Sequence, residues 1–268
     1  MQIGISLGIN RMRPGGGAAA FDPDSLFAAS EVGDWFDPSD LSKMWQDTAG
    51  TTAITADGQS VARIDGQLGV LSLQQATLGD RPLYKTSAGL HWLQFDGSSD
   101  ILASSAALNM TGTDAVTVCA AVRKSSDTTT ATFVELGPSA NLNANTFCLK
   151  GPFANGANDY AGIFGGSNRV ASDSADVYPS PDTAVITGLS DISADFLNVR
   201  RNGSVIASSA SDQGTGNYAN NTLYVGSRFG TQRFNGNIYF VLVRGALTSG
   251  VDLASLETFA GNKAGLSI

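Results

Sequence analysis

The side chains that could do chemistry are few and scattered. Across 268 residues the chain has three glutamates (Glu31, Glu135 and Glu257), one histidine and two cysteines. Glycoside cleavage needs an acid and a nucleophile or base facing each other across one bond. Three Glu this far apart in sequence do not form such a pair on one strand. A Ser-His-Asp relay would have to run through His91, which alternation places on a strand beside Trp92, where a structural role is expected. One His and two distant Cys, Cys119 and Cys148, make no zinc ligand set. Asp96 with Asp100, and Asp173 with Asp176, are close enough for acid-base work, but service in turns and loops accounts for them. Asp96 and Asp100 remain the calcium candidates, although no Asp-x-Asp-x-Asp loop is present. No glycine-rich phosphate cradle occurs. The expectation is no catalytic residue and no cofactor.

Binding a carbohydrate without cleaving it asks for less: an aromatic face, with Asn, Asp and backbone donors around it on loops of a rigid scaffold. Two segments have that composition. Asn155-Gly-Ala-Asn-Asp-Tyr160 offers Asn155, Asn158, Asp159 and Tyr160, and Gly214-Thr-Gly-Asn-Tyr-Ala-Asn-Asn221 offers Asn217 and Tyr218. Asn- and Gly-rich loops also serve as ordinary turns.

The elements that must position these loops read as β throughout. Only 15% of residues are charged, and Gly, Ser, Thr, Asn and Ala dominate, which suits many short strands joined by tight turns. Alternation and turn signals place strands near 115-123, 131-136, 145-150, 160-165, 183-189, 195-201, 204-209, 222-226 and 236-244, a regular spacing that argues for a sandwich. Asn202-Gly203 is a two-residue hairpin loop that should set Val199 opposite Ile206. Cys119 and Cys148 fall within apolar strand patterns as small buried hydrophobes, with a cross-sheet disulfide left open. Trp35, Trp45 and Trp92 read as core anchors.

The formal net charge is -8, a surface that repels phosphate backbones, so no nucleic-acid partner is expected. Arg200 and Arg201, an adjacent basic pair, sit in a predicted strand as a solvated edge. No apolar run approaches the roughly 18 to 20 residues of a membrane span. Within an arm of residues 1 to 13, residues 1 to 10 alternate with Ile3, Ile5, Leu7 and Ile9 on one face, and Arg11 and Arg13 follow that run, unlike a secretory leader. They read as a strand-forming arm that pairs with another subunit or a partner's sheet edge, or else adds an edge strand to its own domain. Residues 14 to 33 read as a Gly/Ala-rich linker and a short helix capped by Asp22 or Asp24. Residues 34 to 268 form the remaining domain.

Several motifs in that domain resemble one family. His91 to Leu102 carries Phe95-Asp96-Gly97-x-x-Asp100-x-Leu102, similar to the entry of laminin-G-like, concanavalin A-like jelly rolls. Asp34-Trp-Phe-Asp-Pro-Ser-Asp-Leu-Ser-Lys-Met-Trp-Gln-Asp47 resembles a leader found ahead of such jelly rolls in tailed-phage and prophage virion proteins. Further echoes are Ala49-Gly-Thr-Thr52, Gln74-Gln-Ala-Thr77, Arg81-Pro82, the Asn202-Gly203 hairpin and the closing run Ile238 to Arg244. A short helix follows with Leu253, Leu256 and Phe259, capped by Thr248 or Ser249 and stopped by Gly261 or Gly265.

The resemblance implies an all-β, concanavalin A-like antiparallel sandwich with an extended N-terminal arm and a short C-terminal helix. It further implies a structural protein at the virion surface, anchored by the arm to other virion proteins, associated with its own copies, and either meeting a host surface polysaccharide or decorating the particle. The rival reading is a soluble glycan-processing hydrolase of the concanavalin A-like glucanase type, which lacks its carboxylate pair here.

Overall fold

The computed structural model describes residues 20–139, 144–173 and 175–268. The arm residues Ile3, Ile5, Leu7 and Ile9 lie outside them. The first strands are β1 (Gly33–Phe36), β2 (Met44–Trp45), β3 (Arg63–Asp65), β4 (Ser72–Gln74), β5 (Leu83–Ser87) and β6 (Leu90–Asp96). The middle of the chain supplies β7 (Leu102–Ser104), β8 (Leu108–Asn109), β9 (Ala115–Lys124), β10 (Thr132–Leu136), β11 (Thr146–Lys150), β12 (Ala161–Gly165) and β13 (Arg169–Ser172). The last third adds β14 (Asp182–Asp191), β15 (Phe196–Arg201), β16 (Ser204–Ser209), β17 (Asn220–Asn221), β18 (Leu223–Val225), β19 (Asn235–Arg244) and the helix α1 (Gly250–Lys263).

These strands form an antiparallel jelly-roll sandwich. One layer has eight strands in the order β16-β15-β14-β9-β19-β6-β5, with β1 also pairing β19, and the other has nine in the order β13-β12-β11-β10-β18-β7-β4-β3-β2. Alternation decides which residues meet between the layers. Val116, Val118, Ala120 and Val122 of β9 face inward against Val134, Leu136, Phe147, Leu149 and Phe164 of the second layer, in one continuous core. Each such side chain contributes roughly 1.5–3 kcal/mol by leaving water.

The first layer is covered on its other side as well. Leu256, Ala260 and Ala264 follow helical spacing and pack with Cys119, Ala121, Val185 and Leu242, the outward residues of β9, β14 and β19. Burial on both faces explains why β9 and β19 read as nearly unbroken apolar runs. The helix begins after Ser249, one of its two expected caps, although the Ser249 side chain makes no capping bond. It passes through Gly261 and ends before Gly265, whose φ of +72° suits glycine.

The expected strands appear within a residue or two of their predicted bounds. Within 21-33 the short helix is a 3-10 turn, Pro23–Phe27, capped by the Asp22 carboxylate. Its Leu26 and Phe27 join the cluster under α1. Asn202-Gly203 makes the hairpin, with φ of +47° and +82°. The register expected there needs correction: Val199 pairs with Ala207 rather than Ile206, because a bulge inserts one residue after Arg200 pairs with Val205. The cross-sheet disulfide is also corrected. Both cysteines are free and buried, and Cys119 and Cys148 point away from each other on the outer faces of opposite layers, with the core between them. Packed sheets lie about 10 Å apart, beyond disulfide reach.

The aspartates of the leader phrase act as ties. Asp34 is fully buried and accepts from the backbone N–H groups of Trp35, Leu68, Val70 and Leu71, fixing the 66–71 loop. Asp37 bonds Lys263 of α1 at 2.6 Å, and Asp40 caps the turn Leu41–Lys43. Arg81 accounts for the Gln-Ala-Thr and Arg-Pro echoes, since its guanidinium donates to the carbonyls of Gln46, Gln75 and Ala76. Trp35 is buried as expected, whereas Trp45 and Trp92 are half-buried, Trp45 beneath the Arg63 guanidinium and Trp92 beside Tyr239.

Candidate functional site

The groups that first suggest chemistry are committed to structure. Each of the three glutamates is paired with an arginine: Glu31 with Arg244, Glu135 with Arg228 at 3.1 Å, and Glu257 with Arg200 at 2.8 Å. His91 Nδ1 lies 2.6 Å from the Tyr84 hydroxyl, and the two rings stack. Among the described residues no three His, Cys, Asp or Glu side chains converge on a common point.

The calcium candidates form a closed turn. One Asp96 oxygen accepts from the N–H groups of Ser98, Ser99 and Asp100, and the other accepts the Ser99 hydroxyl at 2.8 Å. Burial would raise the Asp96 carboxyl, but these donors hold it well below the usual carboxylate range. Asp100 accepts from Asp96 N–H at 2.9 Å, and burial with the neighbouring Asp96 charge pushes its carboxyl up to about 7.

The two Asn-rich segments sit at opposite ends of β11. The 155-160 segment lies beyond Lys150, where Asn155 accepts from Thr130 N–H and Asp159 accepts from Phe153 N–H. The 214-221 segment lies beyond Thr146, where Ala219 N–H bonds the Asn145 carbonyl and Asn217 donates to the Thr111 carbonyl. A five-residue strand, about 17 Å, keeps them from making one site.

Their tyrosines are not available for stacking. Tyr160 is 0% exposed with its hydroxyl on Asp182, and Tyr218 is 1% exposed with its hydroxyl on Ser190. Asp159 is buried too, whereas Asn217 and Asn155 are exposed and Asn158 is half-buried. Aromatic residues at the ends of apolar strands fill the core before they serve the surface.

The most exposed aromatic side chain among the described residues, Phe229, lies instead beside the outer face of the nine-stranded layer. One register row crosses it completely: Trp45, Arg63, Gln74, Ala103, Tyr224, Glu135, Cys148, Ile163, Val170, each paired with the next. Neighbouring positions on the same strands, such as Leu73, Leu102, Val134 and Phe147, face the core, so the row faces outward. Small Ala103 lies between half-buried Gln74 and half-buried Tyr224.

A turn lies against this row. Arg228 and Thr231 bridge each other, and Phe229 and Gly230 form the tip at φ of +43° and +79°. A phenylalanine in the left-handed region costs about 1–2 kcal/mol, yet Phe229 is 44% exposed with its ring set edge-on to Tyr224, centroids 5.4 Å apart. The turn thus holds two aromatic rings at the surface despite backbone strain, a combination associated with functional sites.

Behind the rings lies a charged layer. Glu135, Lys150 and Arg228 are each 4% exposed or less. Burial pushes the Glu135 carboxyl up to about 7, opposed by Arg228 and Lys150. Burial also lowers the Lys150 ammonium, whose Nζ lies 5.3 Å from the centre of the Phe153 ring. Sequence reasoning missed this face because its residues come from distant strands. The one local signal is Leu-Tyr-Val at 223-225, whose alternation sends Tyr224 outward.

No protein-family model matches the chain, and no curated protein does either. Among solved structures it is similar to the sialidase of Trypanosoma rangeli, at TM-score 0.55 and 9% identity over 86% of this chain and 33% of that one. A second is the ligand-binding domain of botulinum neurotoxin serotype D in complex with N-acetylneuraminic acid, at TM-score 0.50 and 12% identity over 71% of this chain and 50% of that one. The chain thus spans about a third of the length of the sialidase. At these identities the likeness is one of fold: the chain shares the concanavalin A-like β-sandwich jelly roll.

Proposed function

We propose that the protein is a non-catalytic glycan-binding sandwich, carried at the surface of a tailed-phage or phage-like particle and meeting host surface polysaccharide. The observation that carries the binding part is the aromatic pair Tyr224 and Phe229, held outward on a strained turn over a row of polar side chains. A sugar ring presents C–H groups on its faces and hydroxyls around its rim. It therefore suits an aromatic platform bordered by hydrogen-bonding groups such as Gln74 and Arg63. The engagement of all three glutamates with arginines supports binding without cleavage. The bound complex of the neurotoxin domain is a precedent for a sugar ligand on this fold. Exposed Asn155 and Asn217 would extend contacts at the two ends of the sandwich.

The particle part rests on the Asp34 to Asp47 phrase and on the alternating Ile3, Ile5, Leu7 and Ile9, which would insert into a neighbouring virion protein or a sister copy. A glycan array probed with the full chain tests the binding part. Binding to at least one surface glycan is expected, with a loss of about tenfold or more for Tyr224→Ala and for Phe229→Gly. Silence across the array, or binding unchanged in both variants, contradicts it. Deleting residues 1 to 13 tests the particle part: a folded protein that no longer joins the particle is expected, and full incorporation overturns it.

A further inference from the structure

The proposed glycan face also holds two cations whose charges are incompletely satisfied by the protein. Lys150 is 4% exposed, yet among the described residues its ammonium takes part in no ion pair, and its close neighbour is the Phe153 ring. Arg228 is equally buried. Its Nε lies 3.1 Å from a Glu135 oxygen, but Nε and Nη2 find no aligned hydrogen-bond acceptor, and Glu135 Oε2 finds no donor. Buried polar groups are ordinarily paired, and a guanidinium is built to hold two acceptors in its fork. Three orphaned polar atoms behind an exposed aromatic pair are therefore an unusual arrangement for a purely structural ion pair.

The charges facing this spot are Lys150 and Arg228 on one side and Glu135 and Asp159 on the other. Burial pushes both carboxyls upward, Glu135 to about 7, and lowers the Lys150 ammonium, while the guanidinium stays charged.

We infer that this face takes a sugar bearing a carboxylate, its acid group drawn to Lys150 and Arg228 and its ring laid against Tyr224 and Phe229. The inference rests on the glycan-binding reading and sharpens it to one ligand class. A carboxylate laid over the turn adds the negative charge that the buried guanidinium and ammonium lack. A neutral sugar would leave both cations as they are. Uronic and nonulosonic acids share this chemistry.

Matched pairs of probes test it: tetragalacturonate against its carboxyl-reduced product, and 3′-sialyllactose against lactose, titrated calorimetrically into the full chain alongside the glycan array. At least one acid should bind about tenfold or more tighter than its neutral partner. Lys150→Met, close in volume, should erase that preference with little change in melting temperature, and Lys150→Arg should keep it. Which pair responds tells a uronic from a nonulosonic ligand. If acid and neutral probes bind equally and both depend on Tyr224, the charge assignment falls while the glycan face stands. If dextran sulfate competes as well as the acids do, the face is an unspecific polyanion surface and the inference falls. If no probe binds and the array is silent, both readings fall.

Discussion

The two outer faces of the sandwich start from the same strand geometry and end in opposite states. On the eight-stranded layer the outward residues of the central strands are Cys119, Ala121, Val185 and Leu242, small or apolar, and α1 lies over them with Leu256 and Ala260. On the nine-stranded layer the outward row runs from Trp45 through Arg63, Gln74 and Tyr224 to Glu135. There a tight turn, rather than a helix, lies against the row and raises Phe229 to the surface. The difference teaches what each face is for. A face of small apolar residues stabilises by admitting a helix to close distance, while one bearing rings, amides and imperfectly paired charges gives up stability to keep groups available.

The largest effect should come from opening the covered face. Leu256 is fully buried between α1 and the layer, so Leu256→Ala should destabilise by about 3 kcal/mol in a denaturant titration and leave glycan affinity unchanged. A parallel loss of affinity in the folded variant would break the division of labour between the faces.

A smaller effect belongs to Asp100, in the turn that joins β6 of one layer to β7 of the other. Its folded carboxyl is pushed up to about 7 from an ordinary 3.8, so the native state holds that proton more tightly than the unfolded chain does. The stability this confers is full below about pH 4 and is lost as pH rises through 7. Asp100→Asn keeps an acceptor for Asp96 N–H and removes the charge. It should raise stability by about 2 kcal/mol at pH 8 and hardly at all at pH 4. The slope that remains in the variant between pH 4 and 7 should come from the other carboxyls that burial raises, Asp34, Glu135 and Asp159. A variant curve parallel to the wild type would refute the assignment.

The smallest expected signal is an absence of reaction. Burial pushes the thiols of Cys119 and Cys148 up to about 12, so neither should label with a thiol reagent at pH 8 in the native protein. If Cys148 alone labels quickly, the uncovered layer opens on its outer side, which would sharpen the contrast. Fast labelling of Cys119 would mean that α1 lifts.

Much of the scaffold was legible in the sequence. Most strands of five residues or more announced themselves by alternation, though β5 did not, and Asn202-Gly203 fixed a hairpin because only certain residues accept positive φ at both turn positions. Strands such as β2, β3 and β4, two or three residues long, give no period to read. β13 was missed as well, a four-residue edge strand with two outward apolar or charged positions. The bulge that moves Val199 opposite Ala207 has no signal in the residues around it.

The site was harder to read than the fold. Composition pointed to Tyr160 and Tyr218, because aromatic residues beside Asn and Gly look like sugar contacts, but the core claimed both rings. The face that does present rings is assembled from strands up to about 180 residues apart in sequence, by a pairing order that no local pattern encodes.

The most direct test is to map where a bound glycan protects the backbone, by amide hydrogen exchange with and without the tightest array ligand. Slowed exchange is expected in β10, β18 and the Arg228 to Thr231 turn, with α1 and the segments 155-160 and 214-221 changing less. Protection confined to those two end loops, or to the helix-covered face, would contradict the account.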